Sequence, residues 1–431
     1  MYFISNPADS LLGEVTVPGD KSISHRSLML GGIAQGTTHI TGFLNGEDNY
    51  ATLEIMRALG VSIDELSDTE MVVHGVGMHG LKAPNKALDC GNAGTAIRLL
   101  VGLLAGQQFD SVLTGDQYLL KRPMKRVTDP LASMGAKIET TESGCAPLKI
   151  TGQQGLHGIE FDMPIASAQV KSCLLLASMY ASGKTTIIEH GITRDHTERM
   201  LRAMGYPVLS EDNCVTIEGG HELTACDIQV PADISSSAFF MVAASITPNS
   251  NITLKNVGIN PTRDGVIQIL KLMGANIEVT NKRNCGDEPV ADIIVTSSQL
   301  HGIEIPRELV PLAIDEFPVL MIAAANAEGK TVLKGARELR VKETDRIQAM
   351  ADGLIALGAN VDTYEDGMAV KGGQLQGGVV ESCGDHRIAM AFAVAGLTAA
   401  SSVRVNDIHN VATSFPSFVD LANSTGFKIT S

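Results

Sequence analysis

The sequence predicts an α/β protein of two domains, each made from three copies of one supersecondary unit. Three observations carry this: a phrase that returns six times, a length too great for one ordinary core, and two similar segments half a chain apart. The phrase is an apolar, helix-like run ending in Leu or Met, then Gly, then a strand-like run. It reads Met56-Arg-Ala-Leu-Gly60, Leu131-Ala-Ser-Met-Gly135, Leu201-Arg-Ala-Met-Gly205, Leu270-Lys-Leu-Met-Gly274, Leu354-Ile-Ala-Leu-Gly358 and, in a worn copy, Leu421-Ala-Asn-Ser-Thr-Gly426. Its glycines lie 75, 70, 69, 84 and 68 residues apart. A near-constant period in sequence marks a repeated structural unit, and 431 residues favour at least two domains.

Within a unit the elements follow a constant order. A polar cluster opens an apolar run of helical length, as in Ser22-Ile-Ser-His-Arg26 followed by Ser27 to Ala34. A turn then leads into a Thr-rich strand: Gly36-Thr-Thr-His-Ile40, Gly183-Lys-Thr-Thr-Ile187, Asn251-Ile-Thr-Leu254 or Gly329-Lys-Thr-Val332. A second polar cluster and the Leu-x-x-Leu-Gly helix come next, with Gly at the C-terminal position that needs positive φ. An alternating strand such as Ala275-Asn-Ile-Glu-Val279 closes the unit. Val17-Pro18-Gly19-Asp20 and Val230-Pro231-Ala232-Asp233 resemble each other and are read as the crossings between domains. The expected boundaries are 20–231 for the first domain and 1–19 plus 232–431 for the second, to which the first residues supply a strand. Gly183-Lys184-Thr185 is read as a turn and not as a phosphate-binding loop, because Ser178 stands where that motif needs its first Gly.

Composition excludes several classes. Apolar content of 44% and charged content of 19% describe a globular chain. A net charge of −15 argues against nucleic acid or an anionic membrane as partner. The seven cysteines are widely spaced with no C-x-x-C, which fits a reducing, cytoplasmic setting. Met1 to Asp20 lacks the pattern of a signal peptide, and Ile388 to Ala400 is too short to span a bilayer, which needs ~20 residues.

The chemistry collects at the helix starts. One set of clusters is Lys21-Ser-Ile-Ser-His-Arg26, Asn92-Ala-Gly-Thr95, Ser167-Ala168-Gln169-Val170-Lys171, Asp233-Ile-Ser-Ser-Ser237, Asp315-Glu316 and Asp385-His386-Arg387. A second set is Lys121-Arg122-Pro123, Arg194-Asp195-His196, Thr262-Arg263-Asp264 and Lys342-Glu-Thr-Asp-Arg346. Ser167, Asn92, Asp315 and Ser235 have a plain alternative role as helix caps. Cations in a first turn oppose the helix dipole unless an anion binds there. Lys21, Arg26, Arg122, Arg194, Arg346 and Arg387 at equivalent points therefore suggest a polyanionic ligand with a carboxylate and more than one phosphate. Asp315 and Glu343 among these cations are candidate bases, and Lys21 a candidate proton donor; salt-bridge roles remain open for all three. His25, His196 and His386 lack metal-ligand spacing and are read as packing or orienting neighbours.

Pro18-Gly-Asp-Lys-Ser-Ile-Ser-His-Arg26, Gly91-Asn-Ala-Gly-Thr95, Lys121-Arg-Pro-Met124, Arg340-Val-Lys-Glu-Thr-Asp-Arg346, Asp385-His-Arg-Ile-Ala-Met390 and Thr413-Ser-Phe-Pro416 carry a family likeness over nearly the whole chain. They resemble the motifs of the 5-enolpyruvylshikimate-3-phosphate synthase family of enolpyruvyl transferases. The resemblance implies six βαβαββ repeats, each domain an inverted α/β barrel, with the active site in the cleft between domains that close over substrate. It implies transfer of the enolpyruvyl group from phosphoenolpyruvate to shikimate 3-phosphate in the shikimate pathway, with no metal or organic cofactor; a monomer is the expectation, although the sequence does not give the oligomeric state. Carried over by motif, Ser22, Arg26, Ser167, Ala168, Gln169, Arg194 and Lys342, with Lys21 and Asp315, would hold shikimate 3-phosphate. Lys21, Asn92, Gly94, Arg122, Arg346 and Arg387 would hold phosphoenolpyruvate, with Gln169 bridging. Asp315 would take the 5-hydroxyl proton, and Glu343 and Lys21 would shuttle the others.

Two positions depart from the usual pattern: Ala168 stands where many members have Ser, and Ser414 where many have Lys. Gly94 leaves the phosphoenolpyruvate pocket uncrowded, so the resemblance also implies sensitivity to glyphosate. Two rival readings share these residues. A transferase acting on UDP-N-acetylglucosamine would carry a Cys before its Arg-Pro motif, and Thr114 to Pro123 has none. A non-catalytic anion-binding repeat protein would not need acids among its cations.

Overall fold

A computed structural model describes residues 1–152 and 155–430. The chain forms two compact units: Gly19–Val230 with Cys285–Glu288, and Met1–Pro18 with Pro231–Asn284 and Pro289–Ser431. The first holds α1 (Lys21–Ile33), α2 (Glu47–Ala58), α3 (Gly94–Ala105), α4 (Lys125–Ser133), α5 (Ala168–Ser178) and α6 (His196–Ala203). The second holds α7 (Ile234–Ile246), α8 (Gly265–Leu272), α9 (Phe317–Ala325), α10 (Arg346–Ala356), α11 (His386–Ala395) and α12 (Phe418–Ser424). Two helices per repeat, six times, is the number the periodic phrase predicts.

The helices alternate between two roles. In the first unit α1, α3 and α5 are buried over almost their whole length, whereas α2, α4 and α6 bury one face. In the second unit α7, α9 and α11 are the buried set. Their sequences follow this: Phe317-Pro-Val-Leu-Met-Ile-Ala-Ala-Ala325 is apolar all round, as a helix without a solvent face must be.

Small sheets surround each set of inner helices. In the first unit Gln35–Thr41 pairs antiparallel with Glu70–Val76 and parallel with Ile228–Gln229, so the unit's last strand joins its first sheet. Ser111–Thr114 and Lys184–Glu189 repeat the pattern, with parallel partners Leu88–Asp89 and Glu160–Met163. In the second unit the N-terminal residues supply two strands where one is expected. Leu12–Val15 runs parallel to Asn251–Gly258, and Tyr2–Asn6 runs antiparallel to Val403–Asn406.

The repeated glycine has one physical job. Gly60, Gly135, Gly205, Gly274, Gly358 and Gly426 all have positive φ, from 79° to 114°. After each, the next N–H reaches back to the carbonyl five residues earlier, as in Val61 to Met56 (3.0 Å), Tyr206 to Leu201 (2.8 Å) and Ala359 to Leu354 (2.9 Å). This is the helix-ending motif that a Cβ disfavours. The Gly-Lys-Thr phrases are turns: Gly183 and Gly329 have positive φ and lead into the strands Lys184–Glu189 and Lys330–Leu333.

The inner helices approach closely through small residues. A Cβ on Gly102 of α3 would lie 2.2 Å from the Cys173 carbonyl oxygen of α5, a backbone atom that cannot step aside. Gly102→Ala is therefore expected to lower stability by about 1–3 kcal/mol, the usual cost of overpacking. A lower midpoint in urea or thermal unfolding followed by circular dichroism checks this, and an unchanged midpoint refutes it.

Candidate active site

Because the inner helices have no solvent face, polar side chains on them collect at their ends. Their N-termini are capped by acids: Asp20 accepts from Ile23 N–H (2.9 Å), Asp233 from Ser235 N–H (2.9 Å) and Asp385 from Arg387 N–H (2.8 Å). Ser167 caps α5 by accepting from Val170 N–H at 3.4 Å. Of the four cap candidates in the sequence only Ser167 has that role; Asp315 and Asn92 lie before their helices and Ser235 lies inside one.

In the first unit the starts of α1, α3 and α5 are joined by side-chain bonds. Gln169 donates to Thr95 Oγ1 (3.1 Å) and accepts from Arg98 Nη1 (2.7 Å). A Cβ on Gly94 would lie 2.3 Å from Arg122 Nη1 and 3.2 Å from Arg98 Nη1, so two guanidinium groups flank one bare glycine. Arg26 is buried and spends its hydrogen bonds on neutral oxygens: Thr197 Oγ1 (2.7 Å), Ser172 Oγ (2.7 Å) and the Ser22 carbonyl (2.9 Å). Burial lowers its pKa to about 10, against the pull of Glu198. Lys21 pairs with Asp48, and Asn49 Nδ2 donates to the Lys21 carbonyl at 3.1 Å. His25 is buried against Thr52 Oγ1 (2.7 Å); burial, with Lys21 and Arg26 nearby, holds its pKa well below 6.5.

In the second unit the corresponding cluster is rich in carboxylates. Arg346 is fully buried and gripped on three sides: Asp385 Oδ2 (2.7 Å), Glu343 Oε2 (2.6 Å) and Asp315 Oδ1 (3.2 Å). Burial alone would lower its pKa, but Asp385, Glu343 and Asp315 together raise it above the ordinary arginine value. Lys342 Nζ reaches the same Asp315 Oδ1 at 3.1 Å, and Arg387 Nη1 donates to the Asp315 carbonyl at 3.3 Å. The neighbouring acid has a different fate. Glu316 is buried with Ser235 and Arg263, and Arg263 is tied to Asp233 (3.2 Å).

Ser22, Arg26, Asn92, Gly94, Arg122, Ser167, Ala168, Gln169, Arg194 and Lys21 therefore lie in the first unit, and Asp315, Lys342, Glu343, Arg346 and Arg387 in the second. Within the second unit the five form one network. Within the first, Gly94, Arg122 and Gln169 meet through Arg98, whereas Asn92 turns to Asp116 Oδ2 (2.7 Å) and braces the turn before Arg122. Sequence reading missed Arg98, Asp48 and the second role of Asp385. Arg98 had a signal: it is the one cation in the otherwise apolar run from Ala96 to Ala105. Among the described residues Asp195, His196 and Glu288 hold ligand atoms within 4.8 Å of one another, yet Arg199 takes Asp195 (2.8 Å) and His196 Nδ1 contacts Glu288 Oε1 (2.7 Å), so side-chain partners occupy these groups.

Comparison with known proteins places this geometry. A family model described as EPSP synthase (3-phosphoshikimate 1-carboxyvinyltransferase) matches residues 5–421. A 3-phosphoshikimate 1-carboxyvinyltransferase of Methylococcus capsulatus is 57% identical over 429 residues, covering 100% of this chain and 98% of its own. One of Nitrosococcus oceani is 58% identical over 429 residues, covering 100% and 97%. The solved EPSP synthase of Acinetobacter baumannii superposes with a TM-score of 0.89 at 54% identity, covering all of both chains. The enolpyruvyl transferase NikO of Streptomyces tendae matches with a TM-score of 0.81 at 18% identity, covering 100% of this chain and 98% of its own, a likeness of fold.

The Arg346 network yields a stability prediction. Asp385 is wholly buried and supplies both the α11 cap and the bond to Arg346 Nε. Asp385→Ala leaves the buried Arg346 Nε and the α11 start without their acceptor, Glu343 and Asp315 still holding the rest of the guanidinium, and the expected loss is about 2–4 kcal/mol. Denaturant unfolding of the two proteins checks it; a loss under about 1 kcal/mol, the range of exposed pairs, refutes it.

Proposed function

The chain belongs to the EPSP synthase family, and from that premise we propose that it transfers the enolpyruvyl group of phosphoenolpyruvate to the 5-hydroxyl of shikimate 3-phosphate, releasing phosphate. The observation that best supports this from the geometry is the unequal make-up of the two clusters. One unit offers Arg26, Arg98 and Arg122 around helix N-termini; the other sets Asp315 and Glu343 against Lys342 and Arg346. The first composition suits anionic substrates. The second supplies carboxylates placed to exchange protons.

In the proposed reaction the substrate 5-oxygen bonds to C2 of phosphoenolpyruvate as C3 gains a proton. The tetrahedral intermediate then loses that C3 proton and its C2–O bond to phosphate, which leaves. Asp315 takes the 5-hydroxyl proton, and Glu343 and Lys21 exchange protons with C3 and the leaving phosphate. Ser22, Arg26, Ser167, Ala168, Gln169, Arg194 and Lys342 hold shikimate 3-phosphate. Lys21, Asn92, Gly94, Arg122, Gln169, Arg346 and Arg387 hold phosphoenolpyruvate, Asn92 acting through the turn it braces. Ala168 has no hydroxyl to offer, and its backbone N–H at the start of α5 serves instead. That both units serve one pair of substrates belongs to the proposal; compaction in small-angle scattering on adding shikimate 3-phosphate tests it. Among the described residues no helix is long and apolar enough to cross a membrane.

The deciding assay is phosphate release from phosphoenolpyruvate with shikimate 3-phosphate and, separately, with UDP-N-acetylglucosamine. Release with the first alone is expected; release with the second alone overturns the acceptor, and release with neither overturns the reaction. Asp315→Ala is expected to cut kcat by roughly 10²–10⁴-fold, the usual share of a general base; an unchanged kcat removes it from that role. Gly94→Ala places a methyl 2.3 Å from Arg122 Nη1, a side-chain tip that can shift, so the protein folds while the cation moves. The expected result is a KM for phosphoenolpyruvate raised on the order of tenfold or more, with weaker inhibition by glyphosate; an unmoved KM contradicts the placing of Gly94.

A further inference from the structure

One buried cation stands outside the proposed machinery. Lys171 lies in the first turn of α5, its N–H bonded to the Ser167 carbonyl at 3.0 Å, and only 2% of the residue is exposed. Its ammonium reaches Glu198 Oε1 (2.7 Å), Glu189 Oε1 (2.8 Å) and, at 3.5 Å, the Thr193 carbonyl. Thr193 Oγ1 in turn donates to Glu189 Oε2 at 2.5 Å. We infer that Lys171 is a positioning residue for shikimate 3-phosphate, fixing Arg194 and the Ser167–Gln169 turn relative to each other. This rests on the proposed assignment of those residues to that substrate.

The connectivity carries the inference. Glu189 ends the strand Lys184–Glu189, Thr193 precedes Arg194 directly, and Glu198 lies in the first turn of α6. One ammonium thus holds the segment that bears Arg194 on both sides, and the helix ties the same ammonium to Ser167. The next residues repeat the link. Thr197 Oγ1 donates to Ser172 Oγ (2.7 Å), and Arg26 bonds both, with Nε to Thr197 and Nη2 to Ser172. His196 pairs with Glu288 at 2.7 Å. Three consecutive buried polar residues, His196, Thr197 and Glu198, therefore reach three different partners. An amphipathic helix buries one face, so three in succession mark a designed junction and not a stripe.

The chemistry is specific to lysine. An ammonium carries three N–H donors in a tetrahedral fan, matching three acceptors that come from separate segments. Arginine presents a flat fork on a longer side chain, which does not reproduce that compact tetrahedral fan. An apolar side chain of the same size would pack but would leave Glu189 and Glu198 buried without their cation.

The test uses the full chain in four forms: wild type, Lys171→Met, Lys171→Arg and the double variant Lys171→Met with Glu198→Gln. The double variant removes a stranded carboxylate and so keeps a folded protein available if Lys171→Met alone fails to fold. Circular dichroism establishes folding, and steady-state kinetics give kcat and KM for each substrate. Expected is a KM for shikimate 3-phosphate raised at least tenfold in the folded Met variants, with KM for phosphoenolpyruvate moved less than threefold, and partial recovery in Lys171→Arg. A merely structural lysine would lower the active fraction, and thus kcat, without splitting the two KM values; that outcome, or an unmoved KM for shikimate 3-phosphate, overturns the inference. A wild type that does not turn over shikimate 3-phosphate removes the assignment beneath it and overturns both, whereas an active wild type with no split overturns the inference alone.

Discussion

An inner helix buried on every side can present chemistry only at its ends. That constraint organises both units. α1, α3 and α5, and likewise α7, α9 and α11, are sealed along their lengths by the sheets and outer helices around them. Their C-terminal ends run into turns; their N-terminal ends carry unpaired N–H groups and a partial positive charge. Whatever polar side chains the inner helices possess must gather there, and each gathered group must find a partner or a ligand. The acidic caps Asp20, Asp233 and Asp385 answer part of that demand from within.

The two units answer the rest differently. In the first, Arg26 is held by hydroxyls and a carbonyl, and Arg98 and Arg122 crowd the same glycine. Neutral hydrogen-bond partners orient the Arg26 guanidinium. In the second, three carboxylates surround Arg346. Its guanidinium is fixed among Asp315, Glu343 and Asp385, and it fixes those acids in turn. The same architectural position thus carries arginines in one unit and an organised set of acids in the other.

The periodic part of this was legible in the sequence. A glycine that ends a helix needs positive φ, and nothing but chain conformation decides it, so the six Leu-Gly phrases marked six outer helices correctly. Buried apolar runs marked the inner helices for the same local reason. Pairing was less legible. Asp315 and Glu316 are adjacent, yet one joins Lys342 and Arg346 and the other is locked to Ser235 and Arg263. Only the direction in which each side chain leaves the backbone separates them. Lys21 read as a cation among cations, and its partner Asp48 comes from α2, a contact the spacing cannot reveal. Arg98 carried a signal, a lone charge within an apolar helix, but it lies one turn behind the helix-start cluster Asn92–Thr95.

The network also bears on how Asp315 would work as a base. Asp315 Oδ1 accepts from both Lys342 and Arg346. The two contacts differ in permanence. Arg346 is buried and anchored through Nε to Asp385, so its bond to Asp315 is part of the scaffold. Lys342 is partly exposed and ends a flexible stem. On the proposed reading, an arriving anionic substrate competes for Lys342 and leaves Arg346 where it is. Drawing that one ammonium toward the substrate opens Asp315 Oδ1 to the 5-hydroxyl at the moment it is in place. On that reading the carboxylate is oriented by the buried arginine and made accessible by what the lysine does when substrate binds.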